Sequence, residues 1–366
     1  MAFPRGSFLE DFSPRLRACF LRRRGLFLRS MDSVPRRATR AWLRAHGGSS
    51  AEGLDSEGVR RGALDPSWVY LGRHGKLLRP LLASIVLEAF GRRPESFLPL
   101  LGMIECQEAA TCSFDDVVDD SPLRRGGPST HELHGIPLAF AAYQALYNAS
   151  WSAVFDPSMP LSAEVRLAVL DALAREILAY GLGQCQELRW SRERRLVSAE
   201  RYLQMSSDRI VFMSFNGPMR IGALVGGCAG ARLKALVEFG TWLGMGYHLH
   251  GDELNLFPRS GDWGKAVADD VPSGRVTVLY REAWRRSSPA ARRILLKPFG
   301  DPRARDSDVR AALEVVRGSG AVECNRRWIG TFRARAARAL RRARLPAAGG
   351  ALLSDMLRFM TETRRM

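Results

Sequence analysis

The stretch FDDVVDDSPLRRGGPSTH, residues 114–131, gathers carboxylates and guanidinium groups closely enough to act on one ligand. Asp115, Asp116 and Asp119 fall at i, i+1 and i+4. On a helix that spacing puts Asp115 and Asp119 on one face, one turn apart. Clustered carboxylates repel one another unless a cation joins them. Hard oxygen donors in this array suit Mg2+, which takes its remaining oxygens from water or phosphate. Arg124 and Arg125 follow closely, and their planar forks match phosphate oxygens. Metal and arginine beside apolar helices are what a departing diphosphate requires. Taken singly, the same residues also read as an acidic helix end followed by a solvated basic loop.

The elements that must position these groups read as helical. Segments 78–90, 98–111 and 163–183 carry apolar residues at three- and four-residue spacing, with Pro and Gly clusters between them. Alternating strand-like runs are nearly absent, so the expectation is an all-α domain over residues 63–366. Residues 1–62 are arginine-rich and punctuated by Pro4, Pro14 and Pro35. They read as a loosely packed, solvated extension, with an amphipathic helix around 13–30 and weak membrane-surface contact as the alternative.

The chain is 46% hydrophobic, enough for a substantial core, and has no apolar run long enough to span a membrane. The first residues lack a secretory pattern, which points to a cytoplasmic protein. Six cysteines without a CxxC pair argue against disulfides and zinc. The net charge of +17 raises nucleic acid as a partner, but arginine is spread over every segment and no aromatic-interleaved basic motif appears, so none is expected. His248, His250 and Asp252 tempt a metal reading, yet two histidines at i and i+2 on a helix face different ways. His131 and His134 read as structural.

The whole string DDxxD, four residues, then RRGxPSTH resembles the first aspartate-rich motif of the trans-prenyltransferases. Other stretches resemble that family in the same order. GKLLRP at 75–80 looks like its GKxLRP motif, and GQCQEL at 183–188 like its GQxxDL. HGDELNLF at 250–257 sits where the second aspartate-rich motif belongs. GDWGKAVADDVPSGR at 261–275 resembles the loop that follows, and 345–360 the C-terminal helix. The resemblance spans about 65–366.

It implies a class I isoprenoid synthase: a helical bundle around a central apolar cavity, homodimeric, with the two aspartate-rich helices facing each other at the cavity mouth. Asp115, Asp116, Asp119, Asp252 and Asn255 would bind three Mg2+. Arg124, Arg209 and Lys265 would hold the leaving diphosphate of an allylic prenyl diphosphate. Lys76, Arg79 and Arg125 would hold isopentenyl diphosphate, and Gln184 belongs to the substrate site. Ala110 and Thr111, small at the cavity wall, would admit a farnesyl or geranylgeranyl chain. Phe114, Trp190, Phe212 and Trp242 are candidate cavity aromatics.

Departures from the pattern bear on the reaction. Gly251 replaces the first carboxylate of the second motif, and Glu253 could substitute only on a rotated or bulged helix. The family's Phe-Gln pair is Tyr247-His248, and its Lys-Thr pair is Arg209-Ile210. Glu108 stands where a histidine of the isopentenyl diphosphate site belongs, and a carboxylate there should repel a diphosphate. With the first motif intact, these losses favour a terpene synthase that ionises one allylic diphosphate and cyclises or quenches the cation, with His248 as a candidate proton acceptor. The alternatives are a chain-elongating prenyl diphosphate synthase and a catalytically weak regulatory subunit.

Overall fold

The computed structural model describes residues 8–46, 65–258 and 267–364, and they are almost entirely helical. The only strands among them, Leu123–Arg124 and Gly127–Pro128, form one antiparallel ladder. In chain order the helices are α1 (Pro14–His46), α2 (Asp65–Gly72), α3 (Leu78–Ala89), α4 (Leu98–Val118), α5 (Thr130–His134), α6 (Ile136–Trp151) and α7 (Ala163–Arg192). Next come α8 (Ala199–Ser206), a π-helical stretch (Ser207–Asn216), α9 (Gly217–Val225) and α10 (Gly230–Leu256). The chain ends with α11 (Val278–Arg286), α12 (Pro289–Leu296), α13 (Asp306–Gly318), α14 (Ala321–Ala343), α15 (Ala347–Arg358) and a second π-helical stretch (Phe359–Thr363). The all-α expectation therefore holds. No described helix is long and apolar enough to cross a membrane.

The chain forms two compact units. One comprises 18–171 with 221–228, the other the residues up to 17, 172–220 and 229 onward. In the first, α4 packs chiefly on α6, and Leu81, Leu82, Ile85 and Met103 are completely buried. In the second, α10 packs along α14 and against the first π-helical stretch, burying Phe239, Leu243 and Leu249.

Residues 8–46 correct the expectation of a loosely packed extension. Proline at 35 does not end α1, which runs on to His46 with Phe20, Phe27 and Met31 buried. Pro35 has no N–H for the Met31 carbonyl four residues back; the buried Cys106 thiol of α4 donates to that oxygen instead, at 3.3 Å. A Cβ on Gly102 would lie 2.7 Å from the Ser30 backbone, so only glycine allows α1 and α4 to cross this closely. The boundary at 62/63 lies outside the described residues.

Candidate functional site

In the first unit, α4 carries Asp115 and Asp116 in its last turn, and Asp119 caps its C-terminus, its N–H bonded to the Asp115 carbonyl at 2.8 Å. Asp115 and Asp119 are half-buried, one turn apart; Asp116 is fully buried. Asp116 Oδ1 accepts from Arg124 Nε (2.8 Å) and Nη2, and Oδ2 from Arg124 Nε (3.0 Å) and the Tyr70 hydroxyl. Each of its oxygens thus already accepts two hydrogen bonds. A hairpin positions Arg124: Leu123 pairs with Pro128, Arg124 with Gly127, and Arg125-Gly126 form the turn with φ of 52° and 75°. Two positive φ angles mark a type I′ turn, whose twist suits a tight hairpin and which normally favours glycine or asparagine. Gly127 leaves room for Arg73, which donates to the Pro128 carbonyl at 2.6 Å and the Arg124 carbonyl at 3.1 Å.

Beside this lies a cluster of opposite charges. Arg79 pairs with Glu108 at 2.7 Å, and Arg125 approaches Glu105 at 3.8 Å while donating to the Tyr70 carbonyl at 2.6 Å. Burial pushes the Glu105 carboxyl up to about 7, against the opposing charge of Arg125. Gly75 admits the cluster, since a Cβ there would lie 2.7 Å from both Arg125 Nη2 and Glu105 Oε1. Lys76 is half-buried between His74 and Leu77, both with left-handed φ (50° and 54°). A buried leucine in that conformation is held there by its surroundings at a local cost. Phe114 belongs to an aromatic group with Phe140 and Tyr143, ring centroids 5.7 and 5.1 Å away.

In the second unit, α10 carries His248, Gly251, Asp252, Glu253 and Asn255. Asp252 is buried, and its Oδ2 accepts from the Tyr202 hydroxyl at 2.6 Å. With that proton committed, Tyr202 oxygen is left as an acceptor 2.7 Å from His248 Nε2, and the neutral tautomer with hydrogen on Nε2 is the one that makes this bond. Burial lowers His248 to about 4 and raises Asp252 to about 7. Glu253 is unavailable as a replacement ligand, because Arg326 donates to its Oε1 at 3.0 and 2.8 Å and Asn325 reaches Oε2 at 3.5 Å. The Asn255 amide donates to Asp269 at 2.5 Å, while its Oδ1 is buried without a partner. His250 Nδ1 meets the Met360 carbonyl at 3.2 Å, so the two histidines do face apart.

Arg209 stands on the first π-helical stretch and is held by Gln184 and by Glu187 at 2.6 Å, both from α7. Gly183 permits this approach; a Cβ would lie 2.9 Å from the Arg209 nitrogen. Gln184 Nε2 is buried without a partner. Trp242 stacks on Phe332 at 5.5 Å, as core aromatics do. Lys265 and the Phe212 side chain lie outside the described residues.

For a hard cation, the α4 end fits: Asp115 and Asp119 supply the one or two carboxylates Mg2+ uses when phosphate provides the rest. Asp116 would join only by releasing a bond to Arg124 or Tyr70. The α10 end does not fit the full set of the second motif, since Gly251 brings no oxygen and Glu253 is tied to Arg326. Among the described residues no three His, Cys, Asp or Glu side chains gather around one point. Tyr70, Glu105, Glu187 and Tyr202 are the partners that sequence reasoning missed; only Glu187 carried a signal, at the acidic position of GQCQEL.

A family model described as polyprenyl synthetase matches residues 63–316. A geranylgeranyl diphosphate synthase of Sulfolobus acidocaldarius is 27% identical over 243 residues, 66% of this chain and 73% of that protein. A short chain isoprenyl diphosphate synthase of Methanothermobacter thermautotrophicus is 28% identical over 251 residues, 68% and 74% of the two chains. The crystal structure of a geranylgeranyl pyrophosphate synthase from Corynebacterium glutamicum, complexed with isoprenyl diphosphate and magnesium, superposes with a TM-score of 0.79. It is 23% identical, covering 92% of this chain and 99% of that one, a likeness of fold.

Proposed function

This chain belongs to the polyprenyl synthetase family, and from that premise we propose that it is a chain-elongating prenyl diphosphate synthase, joining an allylic prenyl diphosphate to isopentenyl diphosphate. The carbon–oxygen bond of the allylic substrate breaks, with its electron pair leaving on pyrophosphate. The alkene of isopentenyl diphosphate supplies the electrons of the new carbon–carbon bond, and a proton leaves the adjacent carbon. The chain-elongating relatives favour this over the terpene synthase preferred from sequence.

The observation that carries the reading is the Arg79–Glu108 and Arg125–Glu105 cluster beside the GKLLRP loop. Repulsion by Glu108 was the main sequence argument against an isopentenyl diphosphate site. With Arg79 at 2.7 Å that carboxylate does not stand unopposed. Glu105, raised to about 7, takes up a proton readily when an anion competes for Arg125. Lys76, Arg79 and Arg125 thereby remain as the anion-binding set. Mg2+, when bound, would neutralise the departing diphosphate, with Asp115 and Asp119 as its ligands. Arg124, fixed by Asp116, and Arg209, fixed by Gln184 and Glu187, present pre-oriented donors, which lowers the reorganisation needed as charge develops.

Purified protein with Mg2+ and farnesyl or geranylgeranyl diphosphate, with and without isopentenyl diphosphate, tests this. Longer diphosphates formed only when isopentenyl diphosphate is present support it. A hydrocarbon or alcohol formed from the allylic substrate alone would overturn it in favour of the terpene synthase. No turnover unless an intact homologue is added would indicate a regulatory subunit.

A further inference from the structure

Gly251 is followed in space by a side chain that no motif assigns. A Cβ on Gly251 would lie 3.1 Å from Arg364 Nη2. Arg364 is 3% exposed, and its guanidinium carbon sits 4.0 Å from the centroid of the Tyr247 ring. Its Nε is buried without an acceptor, and among the described residues no carboxylate forms an ion pair with it. The second π-helical stretch delivers it there, the Arg364 N–H bonding to the Phe359 carbonyl at 3.1 Å. A buried guanidinium that keeps unused donors is costly unless a ligand engages it, and planar forks are suited to phosphate oxygens.

We propose that Arg364 is a built-in cation of the α10 motif: its guanidinium occupies the place left by Gly251 and binds a diphosphate oxygen directly, where a carboxylate-held metal ion would otherwise stand. The inference rests on the diphosphate-handling reading above and deepens it. The neighbouring residues agree with it. Asp252, pinned by Tyr202, is the one carboxylate of the motif facing this point, Glu253 being held by Arg326. The positive charges of Arg364 and Arg275 both act on Asp252, against the negative charge of Glu187, so this carboxylate already has fixed cations beside it. An aspartate at 251 would meet the guanidinium and neutralise it, so Gly251 and an available Arg364 belong together.

Calorimetric titration of the full chain with inorganic pyrophosphate, in EDTA and in Mg2+, tests this together with a count of bound Mn2+ by electron paramagnetic resonance at saturating pyrophosphate. In EDTA the wild type should bind pyrophosphate about tenfold more tightly than Arg364→Gln, one charge-assisted hydrogen bond's worth. Arg364→Lys, which keeps the charge and loses the fork, should fall between them. The Gly251→Asp/Arg364→Gln double variant should take up one more Mn2+ per chain than the wild type. Equal pyrophosphate affinity in wild type and Arg364→Gln, or equal Mn2+ counts in wild type and double variant, would overturn the inference while leaving the family chemistry intact. Failure of the wild type to bind pyrophosphate even in Mg2+ would instead overturn the diphosphate-handling reading, and this inference with it.

Discussion

The ends of α4 and α10 carry related acidic strings, and they are built differently. At α4, Asp115 and Asp119 stand half-buried while Asp116 is turned inward to fix Arg124. At α10, Asp252 is buried under Tyr202 and His248, Glu253 is paired with Arg326, and a guanidinium sits where the first carboxylate would begin. One end presents two half-buried carboxylates one turn apart; the other has a guanidinium beside its carboxylate. An acidic motif therefore cannot be read as a metal site from its letters, because each carboxylate is either presented or consumed by its neighbours.

Removing the carboxylates at α4 should give the largest effect. Asp115→Asn with Asp119→Asn is expected to lower kcat about a thousandfold, with Mn2+ uptake lost in parallel. A loss below tenfold would erase the contrast between the two ends.

Tyr202→Phe should come next. It removes the hydroxyl joining Asp252 and His248, and a hydrogen bond to a buried charged group is worth about 1.5–3 kcal/mol. Denaturant unfolding should show that loss, and the Asp252 carboxyl, followed by NMR, should titrate higher still.

The two ends should also differ with pH. Glu105 ordinarily titrates at 4.5 and is raised by burial to about 7, so the fold binds its proton more tightly than the unfolded chain does. That stabilisation is full below pH 4.5 and disappears as pH rises through 7. Asp252, raised from 3.8 to about 7, acts in the same sense. Beside it His248, lowered from 6.5 to about 4, acts oppositely: its contribution is full above pH 6.5 and is lost as pH falls through 4. Glu105→Gln should therefore flatten unfolding free energy between pH 4.5 and 7 more than Asp252→Asn with His248→Gln does. A steeper pH dependence in Glu105→Gln would refute this.

The smallest effect should come from Glu253→Gln. Its partner Arg326 is 58% exposed and regains hydration when the pair is lost, and glutamine keeps the length and a hydrogen-bond acceptor for it. Mn2+ uptake and kcat should stay at the wild-type level; a fall in either would return Glu253 to the metal site.

Much of this was legible in the sequence. Three- and four-residue apolar spacing is a local property of helices, and it gave the all-α fold. The i, i+4 spacing placed Asp115 and Asp119 on one face, because helix geometry depends on neighbours alone. His248 and His250 diverge for the same reason. Pro35, by contrast, misled about α1, since the acceptor it orphans, the Met31 carbonyl, is satisfied by Cys106, 75 residues away in the chain.

What the sequence by itself determined is the fold class, which follows from local periodicity, and the order of the chemical motifs, whose resemblance to those of a known family pointed to that family. Only the tertiary structure decided which charges are spent on one another: Asp116 on Arg124, Glu108 on Arg79, Glu253 on Arg326, and Arg364 set beside Gly251. Coulomb and hydrogen-bond energies depend on distances of a few ångströms between residues far apart in the chain, and the packing of helices sets those distances.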